Sequence, residues 1–570
     1  MGAKLNKQAI LHIPDSQYCY PTDTRTVTLR LRTAAADCFD EVAAIYGSKY
    51  EYHCARKKAL LERKFCDGNY AYYTVSLRLN DVRLVYVFLL TKDGKEYYFS
   101  EDGLTEEYDF DKAYYNSFQL PFINAADVMP VVSWMRGAVF YNIFVDRFFR
   151  GSDEKDDGYI NLEWGKIPSP KSFSGGDIAG ITKKLDYLAG LGVSALYLTP
   201  IFCSVSNHKY DIYDYYAVDP HFGSDGAFKE LVENAHKRGM KVVLDAVFNH
   251  CSCRLPQFCD VAEKGKGSPY YTWFLIDGEK PDPEICNYQC FSSCNYMPKF
   301  NTSNPDVQDF LIDVALYWIK NFDVDGWRLD VSDEVSHDFW RRFRKAVKGV
   351  KPDCVIVGEN WHDAHPFLCG DQYDGIMNYA LTKVLLDFFA EGTLDAKGLS
   401  EKLNALYVRN TEQVNFMMMN LLDSHDTHRF YSLAGKDTDK LICALAVIFL
   451  HPGAASVYYG TEVPLEGGYD PDCRRTMDWR VENTPSIVGT IISQLAAVRR
   501  KDIVKFGDVR FCEKDGLFIL ERLYGDRLLR LTVSNGDEKI IVPQGELICG
   551  YRLQNNKLSG CAFMIEEVAL

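Results

Sequence analysis

The chain has 570 residues, of which 47% are hydrophobic and 14% aromatic, and its formal net charge is −15 at pH 7. This high hydrophobic content argues against intrinsic disorder. A chain of this length is expected to fold as several domains. The negative charge argues against nucleic acid as a partner, because no basic surplus is available to displace the counterions of a phosphate backbone.

The N-terminal segment and the apolar runs indicate the compartment. Residues 1–10 contain no apolar core of the kind found in signal peptides. The most apolar run, residues 441–450, is followed by His451, Pro452 and Gly453 and is too short to cross a bilayer. We therefore expect a soluble, cytoplasmic protein with no membrane partner, in which the 18 cysteines are reduced thiols.

Residues 1–130 are predicted to form an N-terminal β-sandwich. Residues 26–32, 69–78 and 82–89 have the composition or alternation typical of strands and are separated by turns. Residues 121–130 begin and end with proline and are predicted to link this domain to the next one.

From residue 137 onward, apolar strands alternate with amphipathic helices. Helical patterns occur at residues 181–191, 227–236, 305–321 and 338–347. Strands are predicted at residues 138–144, 195–199, 241–247, 324–331, 355–360, 375–378, 414–422 and 455–459. Strands and helices in this order predict a parallel (β/α)8 TIM barrel, whose chemistry lies at the C-terminal ends of the strands. We assign residues 131–502 to this catalytic domain.

Two further regions interrupt or follow the barrel. Residues 251–301 are too long for a simple loop and are predicted to be a small inserted subdomain. Six cysteines between residues 251 and 294 have spacings unlike those of zinc ribbons, which favours free thiols over a bound metal. Residues 503–570 return to short alternating segments, at 517–522, 527–534 and 538–542, and are predicted to form a C-terminal all-β domain. The expected fold class is therefore α/β.

Two carboxylates follow short apolar runs that are predicted to be strands. Arg328 and Asp330 are two positions apart, so their side chains point the same way on a strand, and the guanidinium is expected to keep Asp330 ionised. Glu359 ends the apolar run 354–357, where burial is expected to raise its pKa. One charged and one protonated carboxyl group suit a retaining glycoside hydrolase, although an ordinary ion pair at a strand end gives the same pattern.

Four segments with polar residues fall at predicted C-terminal strand ends, where a barrel brings them around one pocket. They are residues 245–250, 326–330, 358–359 and 422–426. Together they supply Asp245, Asp330, Glu359 and Asp426 with Arg328, His250 and His425. Several carboxylates in one pocket repel each other and are costly to desolvate, so the pattern favours a catalytic site over a stabilising ion pair.

In this order and context, the four segments resemble the signature regions of the α-amylase family, glycoside hydrolase family 13. Residues 140–148 look like the first barrel strand of that family, and residues 206–220 resemble its third-loop signature. Residues 297–301, Met-Pro-Lys-Phe-Asn, are similar to the Met-Pro-Lys-Leu-Asn of the neopullulanase, cyclomaltodextrinase and maltogenic amylase subgroup. The N-terminal sandwich looks like the additional domain of this subgroup.

The resemblance implies a role for each motif residue. Asp330 would be the nucleophile, Glu359 the general acid and base, and Asp426 the group that stabilises the distorted sugar at subsite −1. The substrate-binding residues that it implies are Tyr210 beneath that sugar, Arg328 orienting Asp330, His250 and His425 donating to hydroxyl groups, Asp245 at the pocket floor and Glu334 on the acceptor side. Glu334 has an alternative role that needs no substrate, because a carboxylate at the start of a helix can stabilise that helix.

The resemblance also implies a structural calcium ion. The family often binds Ca²⁺ in an oxygen-rich loop after the first strand, completed by a Gly-Gly-Asp sequence further on. The implied ligands in this chain are Asp153, Asp156, Asp157, Gly175 and Asp177, which offer the hard oxygen atoms that Ca²⁺ prefers. Arg150 and Ser152 depart from the family pattern, and a solvated acidic loop is the alternative.

The resemblance implies an α-glucan hydrolase that cleaves α-1,4 bonds of cyclodextrins, short maltodextrins and pullulan, with transglycosylation as a second outcome. A preference like that of a neopullulanase or a maltogenic amylase is the alternative, and a catalytically silent glucan-binding protein is a remote one. Members of the subgroup typically pair through the N-terminal domain, so a homodimer is expected. No organic cofactor is expected.

Overall fold

The computed structural model describes residues 5–152 and 155–570. The chain divides into two compact units. The first unit is Met1–Val131, Leu394–Asn415 and Arg510–Glu521, and the second is Val132–Thr393, Phe416–Val509 and Arg522–Leu570. The limits of the three domains that we placed from the sequence stay predictions.

The N-terminal part of the first unit consists of strands in two antiparallel sheets. These strands are β1 (Cys19–Pro21), β2 (Thr26–Ala34), β3 (Glu41–Ser48), β4 (Lys57–Leu60), β5 (Glu62–Cys66), β6 (Tyr70–Arg78), β7 (Leu84–Lys92), β8 (Lys95–Ser100), β9 (Gly103–Thr105) and β10 (Phe118–Leu120). One sheet has the order β1-β2-β6-β5, and the other has the order β4-β3-β7-β8-β9 with β10 paired to β7. The three strands predicted from the sequence correspond to β2, β6 and β7.

Alternate residues of these two sheets form the core of the sandwich. Val27, Leu29 and Leu31 of β2 lie in one buried cluster with Tyr86 and Phe88 of β7. Because successive side chains on a strand point to opposite faces, every second residue reaches this core. The predicted N-terminal β-sandwich is confirmed.

The second unit contains the barrel. Its strands are β11 (Val139–Ile143), β12 (Ala195–Leu198), β13 (Phe202–Ser204), β14 (Ile212–Val218), β15 (Lys241–Ala246), β16 (Gly326–Leu329), β17 (Val355–Gly358), β18 (Gly375–Ile376), β19 (Met419–Leu421) and β20 (Ala454–Tyr458). β13 and β14 form a separate hairpin, and the other strands pair in the order β18-β17-β16-β15-β12-β11-β20-β19. A parallel bridge between Met377 and Met419 joins the two ends of this sheet. The predicted eight-stranded parallel barrel is confirmed.

Helices connect the strands. They are α1 (Val145–Phe148), α2 (Ile178–Lys183), α3 (Leu185–Gly190), α4 (Asp225–Lys237), α5 (Pro256–Lys264), α6 (Pro305–Phe322), α7 (His337–Val350), α8 (Tyr379–Leu385), α9 (Ala396–Val408), α10 (Glu412–Met417), α11 (Phe430–Leu433), α12 (Thr438–Leu450), α13 (Ile487–Arg499) and α14 (Asp502–Phe506). α6 is an example of a helix whose ends are determined by its sequence. The Asn304 side chain caps its start, and Pro305 follows at the first helical position. The helix ends at Asp323, whose backbone is in the left-handed conformation. Within the described part of the chain, no helix combines the length and the apolar character needed to cross a membrane.

The C-terminal region is all-β, as predicted. Its strands are β21 (Asp508–Lys514), β22 (Leu517–Tyr524), β23 (Arg527–Ile540), β24 (Glu546–Gln554) and β25 (Lys557–Ala569). β25 pairs antiparallel with both β23 and β24.

Two predicted strands differ from the structure. Residues 414–422 were expected to form one strand, but α10 (Glu412–Met417) precedes a short β19. The helix begins because Thr411 Oγ1 accepts a hydrogen bond from the Val414 amide at 3.4 Å, a cap that the apolar run concealed. Residues 538–542 were expected to form a separate strand, but β23 continues to Ile540 through a register shift between Gly536 and Lys539.

Candidate active site

The C-terminal ends of β15, β16, β17 and β19 bring the predicted carboxylates together. Asp245 is the penultimate residue of β15, and Asp330 and Glu359 directly follow β16 and β17. Asp426 lies in the loop after β19. Asp245 is fully buried, whereas Asp330 and Glu359 are each 6% exposed at the pocket surface. The barrel therefore gathers side chains that are far apart in sequence, as its topology requires.

One guanidinium lies at the centre of these carboxylates. Arg328 Nη1 is 3.0 Å from Asp245 Oδ1 and 2.8 Å from Asp330 Oδ1. Arg328 Nη2 is 2.9 Å from Glu359 Oε2 and 3.8 Å from Asp426 Oδ2. We call Arg328 and its four carboxylates the carboxylate cluster. Because one cation faces four acidic groups, the cluster carries a surplus of negative charge unless it also holds protons.

Burial sets the protonation of the cluster. Burial raises the pKa of Asp330 well above its usual range, although Arg328 acts to lower it and the neighbouring carboxylates add to the rise. Burial also raises the pKa of Glu359, against the opposing effect of Arg328. The expected contact between Arg328 and Asp330 is present and acts to lower the pKa of Asp330, but the guanidinium is shared with the other carboxylates. The charge on Glu359 is one cause of the rise, so a proton on Glu359 favours the ionised form of Asp330. The raised pKa of Glu359 agrees with the expectation.

Asp426 differs from its neighbours in the cluster. Burial acts to raise its pKa, but His425, Arg474 and Arg328 outweigh this effect and hold the pKa below the usual range. Arg474 Nη2 lies 3.2 Å from Asp426 Oδ1, and Arg474 Nη1 lies 2.8 Å from Asp470. Asp426 is therefore the carboxylate of the cluster that keeps its negative charge most readily.

A hydrogen-bond chain connects Asp426 to Asp245. Burial lowers the pKa of His425 to about 3, so its ring is neutral at physiological pH. His425 Nε2 is 3.0 Å from Asp426 Oδ2, which accepts only, so Nε2 carries the proton. The same nitrogen is 2.5 Å from Tyr210 Oη, and Tyr210 donates to Asp245 Oδ2 at 2.8 Å. Tyr197 donates to the same oxygen of Asp245 at 2.7 Å. Asp245 and His425 thus fix the position of the Tyr210 ring.

Two donors orient the Glu359 carboxyl group. The Val331 amide donates to Glu359 Oε2 at 2.9 Å, and Trp361 Nε1 donates to Oε1 at 3.2 Å. Val331 has φ +44°, a left-handed conformation that is strained for a β-branched residue and that occurs here directly after Asp330. The Trp361 ring stacks on Tyr379 with 3.8 Å between ring centroids and 9° between planes.

A pocket of about 930 Å³ lies over the cluster. Of the predicted residues, those that line it are Tyr210, His250, Asp330, Glu334, Glu359 and Asp426, while Asp245, Arg328 and His425 lie beneath it. Burial lowers the pKa of His250 to about 3, and its ring stacks on Phe291 of the inserted region with 4.7 Å between centroids. Glu334 is more peripheral: its carboxylate pairs with Lys299 Nζ at 3.1 Å, and its side chain is 54% exposed.

Several groups at the site were not among the predicted residues. Arg474 and Asp470 also line the pocket. Trp361 lies two positions after Glu359, in a loop to which the alternation of strand side chains does not apply. Phe291 comes from the inserted region, and nothing in its sequence context indicates that it reaches His250.

The predicted calcium loop has a different arrangement. Asp153 lies outside the described residues. Asp156 accepts from the Gly158 amide at 2.9 Å, and Asp157 pairs with Arg150 at 3.2 Å. The Gly175 carbonyl and the Asp177 carboxylate instead face Lys155 Nζ, at 2.5 and 2.9 Å.

Among the described residues of this loop, the positively charged Lys155 contacts two of the oxygen atoms that the implied ion would need, so these oxygens are not arranged for calcium. In the part of the chain that the structure describes, no three His, Cys, Asp or Glu side chains are placed to hold a metal ion. The 18 cysteines are free thiols, and the Sγ atoms of Cys286 and Cys290 lie 3.8 Å apart.

Comparison with known proteins identifies the family. Residues 142–484 match the model of the α-amylase catalytic domain, and residues 5–124 match the model of the α-amylase N-terminal Ig-like domain. The cyclomaltodextrinase of Thermoanaerobacter pseudethanolicus is 39% identical over 546 residues, which cover 94% of this chain and 94% of that protein. The intracellular maltogenic amylase of Bacillus subtilis is 41% identical over 500 residues, which cover 87% of this chain and 84% of that protein.

A solved structure of a cyclomaltodextrinase is similar over the whole fold. Its TM-score is 0.90 at 33% sequence identity, and the match covers 98% of this chain and 99% of that chain. The family and the subgroup names that the resemblance predicted are confirmed. The chain belongs to the α-amylase family, glycoside hydrolase family 13.

Proposed function

We propose that this protein is a retaining α-glucan hydrolase that cleaves α-1,4 bonds of cyclodextrins, short maltodextrins and pullulan. The observation that carries the proposal is the carboxylate cluster, in which Asp330, Glu359 and Asp426 share Arg328 and line one pocket. The names of the relatives, cyclomaltodextrinase and maltogenic amylase, support this class of substrate. A cluster in which all three carboxylates are present argues against a silent glucan-binding protein.

In the first chemical step, Glu359 holds the proton of the pair, Asp330 attacks the anomeric carbon as a carboxylate, and Glu359 donates its proton to the departing glycosidic oxygen. Asp330 Oδ1 is held by Arg328, whereas its Oδ2 accepts no hydrogen bond from the described protein groups. Oδ2 is therefore the atom that is free to attack. Asp330 and Glu359 contact the two terminal nitrogen atoms of one guanidinium, and direct attack by Asp330 gives the retaining outcome that we propose.

In the second step, Glu359 takes a proton from the incoming acceptor, and the acceptor oxygen displaces Asp330 from the anomeric carbon. Water as the acceptor gives hydrolysis, and a sugar hydroxyl group gives transglycosylation. The stacked rings of Trp361 and Tyr379 offer an apolar surface beside Glu359 on which an acceptor sugar can lie. Asp426, held ionised by Arg474, binds sugar hydroxyls and stabilises positive charge at the ring oxygen.

We further propose that the protein works in the cytoplasm as a homodimer. The free thiols are typical of a reducing compartment. The N-terminal Ig-like domain is the part of the chain that we propose for dimerisation. Sedimentation of the full-length chain tests this state: a monomer at the concentrations of the activity assay contradicts it.

Initial rates on equal amounts of β-cyclodextrin, pullulan and soluble starch test the substrate class. We expect β-cyclodextrin to be degraded faster than starch. Faster degradation of pullulan indicates a preference like that of a neopullulanase, and fastest degradation of starch contradicts the proposed selectivity for small glucans. Proton NMR of the first product tests the mechanism, since a retaining enzyme releases the α-anomer and an inverting enzyme releases the β-anomer.

A further inference from the structure

The loop after β11 contains a buried ammonium group at the position where the family resemblance implied a metal ion. The Lys155 side chain is 7% exposed, and its Nζ has three oxygen neighbours. These are the Gly175 carbonyl at 2.5 Å, the Asp177 carboxylate at 2.9 Å and the His221 carbonyl at 3.2 Å. An ammonium group has three N–H donors, so these oxygens satisfy all of them.

Two of those three oxygens belong to residues that were expected to bind calcium. Ca²⁺ and a lysine ammonium both seek carboxylate and carbonyl oxygens, and one excludes the other by charge and by volume. We propose that Lys155 is a built-in cation that replaces calcium in this protein, so that the buried charge of Asp177 is neutralised without a metal ion.

The contacts of Asp177 show why a cation is needed beside its carboxylate. Asp177 is almost fully buried and accepts from the backbone amides of Gly151 at 2.9 Å, Ser152 at 3.1 Å and Gly180 at 2.7 Å. The last of these bonds caps the start of α2 (Ile178–Lys183). Asp177 thus ties the loop after β11 to α2, and its buried negative charge requires a positive partner. Lys155 supplies that partner from within the chain.

The surroundings of Lys155 hold it in place. The His221 ring stacks on Tyr159 with 3.8 Å between centroids, and Tyr159 Oη also donates to the His221 carbonyl at 3.1 Å. A second lysine closes the other side of the loop, because Lys183 Nζ donates to the Gly151 carbonyl at 2.5 Å. Carbonyl oxygens that a metal ion could bind are therefore already bound to ammonium groups.

Thermal unfolding of the full-length protein, with calcium chloride or with EDTA, is the first test. We expect the same Tm under both conditions and no calcium retained after gel filtration, as measured by atomic emission. Calcium that raises Tm by more than about 3 °C, or about one bound calcium per chain, overturns the proposal.

Substitution of Lys155 is the second test. Lys155→Met leaves Asp177 buried without a cation, so we expect Tm to fall by at least about 3 °C. Lys166→Met is the matched control, because Lys166 is an exposed lysine of the neighbouring segment, and its Tm is expected to stay unchanged. Equal Tm values for the two variants overturn the proposal.

A third variant covers the case in which Lys155→Met does not fold. Lys155→Arg keeps the positive charge, and we expect it to fold with a Tm that does not respond to calcium. A Tm of this variant that rises with calcium contradicts the proposal.

Discussion

The two ends of β16 hold buried aspartates with opposite surroundings. Before the strand, Asp325 accepts from His236 Nε2 at 2.7 Å and from the Nζ atoms of Lys241 and Lys351 at 2.9 Å each. We call these four residues the basal cluster. After the strand, Asp330 shares the cation Arg328 with three other carboxylates.

The pKa values follow from this difference. Burial acts to raise the pKa of Asp325, but the hydrogen bonds from the basal cluster outweigh it and lower the pKa below the usual range. At Asp330, burial prevails and the pKa rises. Several donors around a buried carboxylate stabilise its charged form and the fold. Several carboxylates around one cation destabilise the fold and shift the pKa values of the groups that react. The same strand thus separates a structural end from a reactive end.

The largest expected effect is on catalysis at the reactive end. Asp330→Asn removes the attacking oxygen, so we expect kcat on β-cyclodextrin to fall by roughly 10⁴-fold or more. Because the substitution also removes one of the four carboxyl groups that compete for Arg328, Tm is expected to stay equal or to rise. Steady-state rates and thermal unfolding measure both. Asp371→Asn, a change at a surface ion pair with Arg341, is the control and should keep its rate. Near-full activity of Asp330→Asn contradicts the mechanism.

Glu359→Gln is expected to show the role of the acid. Loss of the proton donor should lower kcat on maltodextrins by about 10²–10⁴-fold. An α-glucosyl fluoride, whose leaving group needs no proton, should lose far less in its first step. The raised pKa of Glu359 places the alkaline limb of the pH–rate profile above the ordinary glutamate range, and the substitution should remove that limb. An equal loss on both substrates argues that Glu359 is not the acid.

At the structural end of β16, Asp325→Asn is expected to lower the free energy of unfolding and to leave kcat unchanged. Breaking a buried ion pair costs about 3–5 kcal/mol of the free energy of unfolding. Because the pKa of Asp325 is lower in the folded state than in the unfolded state, its contribution is present at neutral pH and is lost as the pH falls below about 4. The Tm difference between wild type and variant should therefore shrink in acid. A variant with normal Tm and low kcat would reverse the assignment of the two ends.

The smallest expected effect concerns the donor from Trp361. Trp361→Phe keeps an aromatic ring that can stack on Tyr379 but removes the Nε1–H that donates to Glu359 at 3.2 Å. A donor to the carboxylate stabilises its charged form, so its loss should raise the pKa of Glu359 and move the alkaline limb to higher pH. We expect the rate at neutral pH to change by only a few fold. An alkaline limb that stays in place shows that this hydrogen bond does not tune the acid.

The sequence predicts much of the reactive end because barrel topology converts strand ends into spatial neighbours. Asp245, Asp330, Glu359 and Asp426 were placed together on that rule, and the structure does bring them around Arg328. The pKa of Asp330 was beyond this reasoning, because it depends on how many carboxylates share one guanidinium.

Contacts made by loops were not predictable in the same way. The amide of Val331 contacts Glu359, and the ring of Phe291 contacts His250. Both contacts depend on loop backbone conformations, which the spacing of apolar residues in the sequence does not predict. The acidic loop at residues 151–157 was assigned to calcium because its composition supplies oxygen atoms. The direction of the Lys155 side chain, into that loop or into solvent, depends on packing. The sequence shows only one lysine among several charged residues and does not predict this direction.

Trapping of the covalent intermediate tests the central claim most directly. A fluorinated glycosyl fluoride, whose glycosyl-enzyme intermediate hydrolyses slowly, would be incubated with the wild-type protein and the labelled peptide identified by mass spectrometry. We predict that fluoride leaves and that the glycosyl group is attached to Asp330, with no label in Asp330→Asn. Attachment to Asp245 or Asp426, or turnover of the reagent with no labelled peptide, would contradict the assignment of Asp330 as the nucleophile.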